Sequence, residues 1–372
     1  MRRGRGEGSI FRRKDGIWCA ALTVGYTPTG QRRRKYVYGR TKQEALEKLN
    51  RLRARSLEGS LGDPARLTLG QFLTRWLEDV ADQNLRRSTR DLYSRAARNH
   101  ILPRLGGIRL ASLTPAHIQN LMTEMVRYGA GAGIRQVTFR LLHRALGQAV
   151  KWGLIPRNPA DVVERPRPPV REMRTLTPEQ ARAFLKEAQN DRYYALYCVL
   201  IGCGLRLGEA LGLTWPDVDL EKGKLTVRQQ LAEVGGRLFL QEPKTASARR
   251  TVDMPGFVIQ ALRDHQRRQE EEGNLMNEWL LVFTDMNGGP VRRENLRRRS
   301  FEPLLRRAGI PRIRLHDLRH TYATLNLAAG THPKVVQQAL GHANISITLQ
   351  TYSHVLPTLG REAADRLDAI LG

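Results

Sequence analysis

Five side chains near the end of the chain have the chemistry needed to act on a phosphodiester. His316, Arg319 and His320 lie within the run HDLRH, His342 follows a Leu-Gly pair, and Tyr352 stands ten residues further on. A guanidinium can hold phosphate oxygens, an imidazole can move a proton, and a phenol can attack phosphorus once cations and a base activate it. Together these residue types are suited to phosphoryl transfer.

An arginine and a glutamate earlier in the chain complete this set. Arg206 and Glu209 lie in the run GLRLGEAL, directly after an apolar stretch that Gly204 ends. Arg206 and Arg319 together can hold both non-bridging oxygens of one phosphate and offset the charge of a pentacoordinate transition state. Lysine does not reproduce this forked geometry. We therefore expect the two guanidinium groups to bind the scissile phosphate.

The order of these residues resembles that of the tyrosine recombinases, the phage integrase family that cuts and rejoins DNA. The resemblance implies six catalytic residues and a glutamate that supports the arginine and histidine: Arg206, Lys244, His316, Arg319, His342 and Tyr352, with Glu209. It also implies a 3′-phosphotyrosyl intermediate and a Holliday junction, formed by four protomers on DNA without ATP or metal.

The roles of two of these residues stay open. Lys244, in the connection between predicted strands, is either the general acid for the leaving 5′ oxygen or a plain phosphate contact. His316 shares a helical face with Arg319 and either accepts the proton of the nucleophile or stabilises the transition state. His320 is expected off that face in a structural role. His342 is expected to donate a hydrogen bond to the phosphate.

Local patterns predict the elements that position these side chains. Asn344 is expected to cap the helix that carries Tyr352. A further helical stretch over residues 361–371 has an apolar stripe and would dock either on a neighbouring protomer or on its own domain. The other expected elements are a helix over 193–203, strands over 224–230, 237–241 and 249–254, and a helix from 316 to 329.

The first sixty residues predict a small basic sheet. Three strands are expected over 9–13, 17–24 and 32–38, the first two joined by an Asp-Gly turn, and a helix follows with Thr41 and Glu44 as a capping box. This order resembles the arm-binding domain of larger integrases. The resemblance implies DNA contacts by strand-borne arginines: Arg12, Arg13, Arg32, Arg33 and Arg34.

The remaining segments predict a helical bundle followed by a linker. Helix starts are expected at Thr68, Ser88 and Thr114, and a proline-rich stretch precedes a further capping box at Thr177. The ending GLIPRNP resembles the core-binding domain of the same family. The expected fold is therefore multidomain and mainly α with small β-sheets: an arm-type DNA-binding domain (1–60), a helical core-binding, SAM-like domain (66–158), a linker (159–174) and a mixed α/β catalytic domain with its tail (175–372).

Composition favours a nucleic-acid partner. Lys and Arg number 62 against 36 Asp and Glu, a net charge of +26, and residues 1–60, 61–170 and 171–372 carry +11, +9 and +6. Three cysteines without a C-x-x-C pair predict neither a disulfide framework nor a zinc site, and no cofactor is expected. Apolar stretches are far shorter than the roughly eighteen residues that span a bilayer. We therefore expect a cytoplasmic protein, associated with the nucleoid of a bacterial host and without a membrane partner.

The resemblance, together with the basic N-terminal segment, implies a site-specific integrase of a phage or mobile element. The expected partners are double-stranded DNA at core and arm-type sites, three further protomers in a homotetramer on DNA, a host DNA-bending protein and an excision factor. A Xer-like resolvase or a transposase would share the chemistry but would differ in whether residues 1–60 bind separate arm-type repeats. A type IB topoisomerase would have no evident use for an arm-like domain. A catalytically silent DNA-binding regulator would not need an intact nucleophile.

Overall fold

The computed structural model divides into two compact units, Met1–Val170 and Arg171–Gly372. It describes residues 9–13, 16–26, 32–50, 66–80, 85–169, 173–243, 248–274, 277–352 and 367–371. The division falls inside the stretch 159–174 that we assigned to a linker. The four-part domain division stays a prediction, and residues 361–366 of the expected tail helix lie outside the described residues.

The first unit begins with an antiparallel sheet and one helix. The strands, in the spatial order β1-β2-β3, are β1 Ser9–Arg12, β2 Trp18–Tyr26 and β3 Arg32–Gly39, and helix α1 covers residues 42–50. Ala45 and Leu49 of the helix pack on Ala20 of the central strand. The Oγ1 of Thr41 accepts a hydrogen bond from the amide of Glu44. The predicted sheet is confirmed.

The rest of the first unit is a helical bundle. Capping boxes at Thr68 and Thr114 begin two of its helices, as predicted. The predicted start at Ser88 is wrong, because Arg86 has the extended backbone of the N-cap and Ser88 lies inside the first turn. The elements are α2 Leu69–Arg75, a π-helical turn Trp76–Val80, α3 Arg87–Ala96, a π-helical turn Ala97–Ile101, α4 Leu102–Leu105, a 3-10 turn Leu110–Ser112, α5 Pro115–Arg127 and α6 Ala132–Lys151.

The second unit is built mostly of helices around one apolar core. The helix Tyr194–Cys203 is buried along nearly its whole length and lies at the centre, as its uniformly apolar sequence requires. Its helices are α7 Pro178–Ala188, α8 Tyr194–Cys203, α9 Leu207–Leu211, α10 Gly256–Glu271, α11 Arg293–Leu296, a π-helical turn Arg297–Phe301, α12 Glu302–Arg307, α13 Asp317–Ala328, α14 Pro333–Leu340, α15 Ile345–Tyr352 and α16 over residues 367–371.

Two small sheets complete the second unit. One has the order β4-β5-β8 and the other pairs β6 with β7. The strands are β4 Val218–Asp219, which follows a 3-10 turn Trp215–Asp217, β5 Lys224–Val227, β6 Gln230–Val234, β7 Arg237–Gln241 and β8 Arg250–Asp253. The expected strand 224–230 is thus two strands in different sheets. Of these two strands, β6 forms a hairpin with β7 across Gly235 and Gly236, both at positive φ, while β5 pairs with β8.

Lys244 lies outside the described residues. Among the described residues on either side of it, β7 pairs with β6 and β8 pairs with β5. The expected role of Lys244 therefore stays a prediction. Over the parts of the chain that the structure describes, no helix is long and apolar enough to cross a membrane, and no cluster of His, Cys, Asp or Glu is arranged to hold a metal ion.

Candidate active site

Arg206 is held by the glutamate that the sequence paired with it. Arg206 is the N-cap of α9, and its amide donates to Glu209 Oε2 at 3.0 Å while its Nη1 donates to Oε1 at 2.7 Å. Glu209 is only 2% exposed, whereas the side chain of Arg206 is 36% exposed. The carboxylate therefore fixes the guanidinium from the protein side and leaves part of it open to a ligand.

A second arginine, which the sequence analysis missed, shares the same carboxylate. The Nη2 of Arg250, at the start of β8, donates to Glu209 Oε2 at 2.9 Å, and its Nε donates to the carbonyl of Ala339 in α14. Burial by itself would raise the pKa of the Glu209 carboxyl, but the charges and hydrogen bonds of Arg250 and Arg206 outweigh burial and hold that pKa below its ordinary value. Glu209 is thus a buried anion between two cations.

Arg319 is almost completely buried and is oriented by two backbone carbonyls. Its Nη1 donates to the carbonyl of Gly204 at 2.7 Å and its Nη2 donates to that of Leu340 at 2.6 Å, with 2% of the residue exposed. A guanidinium has five N–H donors, so these two bonds leave donors for a phosphate. Burial and the charge of Arg206 lower the pKa of Arg319 from its ordinary value, but arginine stays protonated at neutral pH.

The helix end before His342 supplies one of these carbonyls. Gly341 adopts a left-handed φ of 64° and donates to the carbonyl of Gln338, and the amide of His342 donates to that of Gln337. This pair of bonds is a Schellman motif, which ends α14 and turns the chain. Arg319 binds the carbonyl of Leu340 immediately before the turn. The corner therefore joins Arg319 to the segment that carries His342.

His342 is also fixed from the helix that carries Tyr352. Its Nδ1 lies 2.9 Å from Oγ1 of Thr348, a fully buried residue of α15. The Nε2 of the imidazole is then the atom left to meet a phosphate. Asn344 caps α15 through its Oδ1, which accepts from the amide of Ser346 at 3.0 Å, as predicted.

His316 stands at the start of α13, whose first turn is braced by an ion pair. The buried carboxylate of Asp317 accepts from the amide of Arg314 at 2.8 Å and from its guanidinium at 2.6 Å. His316 itself is exposed, and its ring lies 4.9 Å from that of His320 in an edge-on arrangement. The helix start therefore presents His316 outward beside Arg319.

Tyr352 is buried and its hydroxyl contacts a histidine. The residue is 1% exposed, in a cluster with Tyr322, Leu327, Val336 and Leu340. Its Oη lies 2.8 Å from Nδ1 of His320. The expectation that His320 lies off the face of His316 is wrong, because residues four apart on a helix share a face and the two rings are in contact. Burial raises the pKa of Tyr352 to about 12, against the opposing charge of Arg319.

The three histidines carry lowered pKa values. Partial desolvation of the ring, followed by the charge of Arg319, lowers the pKa of His316. Burial, followed by the charge of Arg319, lowers the pKa of His342 to about 4, and burial, followed by the charge of His316, lowers that of His320 to about 4. His320 and His342 are therefore neutral at pH 7. Arg206, Arg250 and Arg319 surround the buried Glu209, while the other buried carboxylate, Asp317, is paired with Arg314. The surplus positive charge favours an anionic ligand.

The structure brings six of the predicted residues into the same region of the second unit: Arg206, Glu209, His316, Arg319, His342 and Tyr352. Three partners were missed, namely Arg250, His320 and Thr348. The i,i+4 spacing of His316 and His320 was a signal for one of them. No local pattern distinguishes Arg250, because it meets Glu209 across 41 residues of chain. Thr348 lies only six residues from His342, but no regular motif has that spacing.

The predicted DNA-binding arginines of the first unit lie apart from these residues in the chain. Arg12 is exposed and its Nε donates to the carbonyl of Gly16 at 3.2 Å. Arg13 is exposed and its guanidinium lies 5.6 Å from the ring centre of Tyr38. The side chains of Arg32, Arg33 and Arg34 lie outside the described residues.

The amino-acid sequence matches two family models. Residues 174–358 match the phage integrase family, and residues 68–126 match the N-terminal SAM-like domain of phage integrases. Among curated proteins, a tyrosine recombinase XerC-like protein of Caldanaerobacter subterraneus subsp. tengcongensis is 30% identical over 93% of this chain and 94% of its own length. The integrase of Mycobacterium phage D29 is 30% identical over 82% of this chain and 79% of its own.

Solved structures agree with this assignment. The Tn1549 transposon integrase in complex with transposon right-end DNA superimposes with a TM-score of 0.68 at 26% identity, over 81% of this chain and all of that one. A lambda integrase tetramer bound to a Holliday junction has a TM-score of 0.60 at 18% identity, over 94% of this chain and 96% of that one, which shows a shared fold. Family models, relatives and fold together establish that the chain belongs to the phage integrase family of tyrosine recombinases.

Proposed function

We propose that this protein is a site-specific integrase that inserts and excises a phage or other mobile element by cutting and rejoining DNA through a 3′-phosphotyrosyl bond. The observation that carries the proposal is the meeting of Arg206 and Arg319 with three histidines and Tyr352 in the second unit. Both guanidinium groups are fixed by the protein, one by Glu209 and the other by backbone carbonyls. Fixed donors of this kind suit the charge that develops in phosphoryl transfer.

The proposed reaction begins with attack by the Oη of Tyr352 on the scissile phosphorus. The bond from phosphorus to the 5′ oxygen breaks, a 3′-phosphotyrosyl bond forms, and the 5′ oxygen leaves with a proton. Lys244 is either the donor of that proton or a phosphate contact. Arg206, Arg319 and His342 would hold the phosphate, and His316 would stabilise its transition state or take the proton of the nucleophile.

The covalent bond keeps the energy of the phosphodiester, so rejoining to a different 5′-hydroxyl requires neither ATP nor metal. We propose that four protomers on two duplexes exchange one pair of strands to form a Holliday junction and then the second pair. A basic sheet in the first unit gives the protein a region for a second, arm-type DNA site. A host DNA-bending protein and an excision factor would complete the assembly, in the cytoplasm of a bacterial host at the nucleoid.

The relatives favour one alternative. Similarity to a XerC-like recombinase over nearly the whole chain, and to a Tn916 transposase over 48% of it, makes a resolvase or transposase of the same chemistry the second candidate. An integrase of the proposed type requires residues 1–60 for binding to arm-type repeats separate from the core site. A resolvase has no such requirement. A silent DNA-binding regulator is disfavoured by the retained nucleophile and its neutral histidine partner.

The test is trapping of a covalent adduct. The protein and its Tyr352→Phe variant are incubated with a nicked duplex carrying the boundary sequence of the element that encodes them, without metal or ATP. A protein–DNA adduct that resists denaturation is expected for the wild-type protein only. Equal DNA binding by both proteins, with no adduct from either on any boundary sequence, would contradict the proposal and favour the regulator.

A further inference from the structure

The hydroxyl of Tyr352 is in contact with an imidazole that the proposed reaction does not use. The distance from Oη to Nδ1 of His320 is 2.8 Å, an ordinary hydrogen-bond distance for a hydroxyl. No hydrogen bond joins His316 to the phenol among the described residues. We propose that His320, and not His316, is the catalytic residue that accepts the proton of Tyr352. This inference rests on the proposed function.

Proton acceptance by His320 requires one direction of this hydrogen bond. His320 is neutral at pH 7, and a neutral imidazole has one acceptor nitrogen and one N–H. In the tautomer whose ring proton resides on Nε2, Nδ1 faces the phenol and accepts from its Oη–H. A nucleophile paired with a base that a third group orients is the usual arrangement for activating a hydroxyl. Here the third group is His316, whose ring lies edge-on at 4.9 Å from that of His320.

The proposed step conserves atoms and charge. As Oη attacks phosphorus, its O–H bond breaks and the proton passes to Nδ1 of His320, which becomes an imidazolium. The bond from phosphorus to the 5′ oxygen breaks at the other end of the phosphorus, where a separate donor protonates the leaving oxygen. In the rejoining reaction the imidazolium returns its proton to the departing phenolate. His316 is then free to stabilise the phosphate.

The charges around His320 explain how DNA would activate it. His316, Arg319 and Arg314 disfavour its protonation, as does burial, while only Asp317 favours it; His342 and Tyr352 are its other titratable neighbours. Burial, followed by the charge of His316, lowers the pKa of His320 to about 4. A phosphodiester bound by Arg206 and Arg319 adds a negative charge to this site. That charge favours the imidazolium, so the base strengthens when the substrate is bound.

Two substitutions separate proton acceptance from simple positioning. His320→Asn keeps a hydrogen-bond acceptor near the position of Nδ1 but cannot take a proton, and His320→Gln serves as a second variant if the first loses DNA binding. His332→Asn is the matched control, because His332 is an exposed histidine at the N-cap of α14, where asparagine also suits. Its adduct formation is expected to stay at the wild-type rate.

The substrate is a nicked duplex whose leaving 5′ oxygen is replaced by sulfur. A thiolate leaves without a proton, so a defect in the general acid is bypassed and a defect at the nucleophile remains. We expect His320→Asn to bind this duplex as wild type does and to form the adduct about 100-fold more slowly or worse, within the usual range for loss of a general base. The Lys244→Ala variant should cut this substrate faster than the oxygen substrate, relative to wild type.

The pH profile gives an independent readout. In the wild-type protein the single-turnover rate on the sulfur substrate should rise with pH as His320 loses its proton. It should level off below the ordinary histidine pKa of about 6.5. In His320→Asn that plateau should be absent, and the rate should keep rising with hydroxide concentration.

The outcomes differ for the inference and for the proposed function. A wild-type adduct together with a wild-type rate and pH profile in His320→Asn would overturn the inference and leave the proposed function intact. Faster adduct formation by His320→Asn would also overturn the inference, since the hydrogen bond to His320 would then inhibit attack by Tyr352. Absence of any wild-type adduct would overturn both.

Discussion

Glu209 binds two arginines of the site, whereas the sequence paired it only with Arg206. Its two oxygens bind Arg206 and Arg250, and Arg250 reaches on to the carbonyl of Ala339. The carboxylate is 2% exposed, so its own desolvation is offset only by these two cations. Loss of the anion would leave the buried Arg250 without a counter-charge. The residue thus determines both the orientation of Arg206 and the stability of the second unit.

Substitution of Glu209 should therefore cost stability. Glu209→Gln keeps the shape but removes the charge, and removal of one partner from a buried ion pair typically costs about 3 kcal/mol. We expect urea unfolding at pH 7 to show a loss of this size, with a lower rate of adduct formation. An unfolding free energy within the error of the wild-type value would mean that repulsion between Arg206 and Arg250 costs no stability without the anion.

The same contact predicts the pH dependence of that loss. The folded state lowers the pKa of Glu209, so its ion pairs stabilise the fold above the ordinary carboxyl pKa of about 4.3. This stabilisation disappears as pH falls through the lowered folded-state pKa. The difference in unfolding free energy between wild type and Glu209→Gln should therefore shrink below about pH 4. A difference that stays constant down to pH 2 would contradict the assignment.

At the scale of elements, glycine helix ends bring the catalytic groups together. Gly204 ends α8 with a left-handed φ of 64°, and its carbonyl binds Arg319. A Cβ at this position would lie 2.4 Å from Cδ1 of Tyr322, a neighbour of Tyr352 in the same buried cluster. Gly204 is thus required both for its backbone conformation and for the close approach of α13.

Gly204→Ala separates these two requirements when it is compared with Gly309→Ala. Gly309 has a nearly identical φ of 65°, but a Cβ there would have no neighbour within 4 Å. Gly309→Ala should lose only the cost of a left-handed alanine, about 1–2 kcal/mol. Gly204→Ala should lose more and should also slow adduct formation, as measured by urea unfolding and by trapping on the nicked duplex. Equal losses in both variants would show that Tyr322 moves aside freely.

Charge is the property that acts at the scale of the whole molecule. The net charge of +26 is spread over all three predicted domains, with the first sixty residues the most densely basic. A protein that neutralises many phosphates releases their counterions, so its affinity for DNA falls steeply with salt. For six to ten phosphate contacts the expected loss is about 10³–10⁵-fold between 50 and 200 mM salt.

A salt titration of DNA binding tests this expectation for the two predicted kinds of site. Both core and arm-type duplexes should show the steep dependence. The double substitution Arg12→Ala, Arg13→Ala should lower the slope by about one for each lost phosphate contact, and only on arm-type duplexes. A slope that stays unchanged on every duplex would remove these two arginines from the DNA interface.

Much of the site followed from the sequence because its signals are local or strongly ordered along the chain. The turn at Gly204, the caps at Thr68, Thr114 and Thr177 and the Asn344 cap depend on residues within a few positions of one another. The order from Arg206 to Tyr352 carried the family resemblance. An unbroken apolar run also located α8, because a helix that is apolar on all sides is buried in the core.

Tertiary structure alone decided which groups hold the catalytic side chains. Arg319 binds the carbonyl of Gly204 across 115 residues of chain, and Arg250 meets Glu209 across 41. The contact of His320 with Tyr352 joins residues on two helices. Such pairings depend on how helices pack in space, and a hydrogen bond between distant residues leaves no periodic pattern in the sequence. Sequence therefore identified the chemistry, and packing selected the partners that orient it.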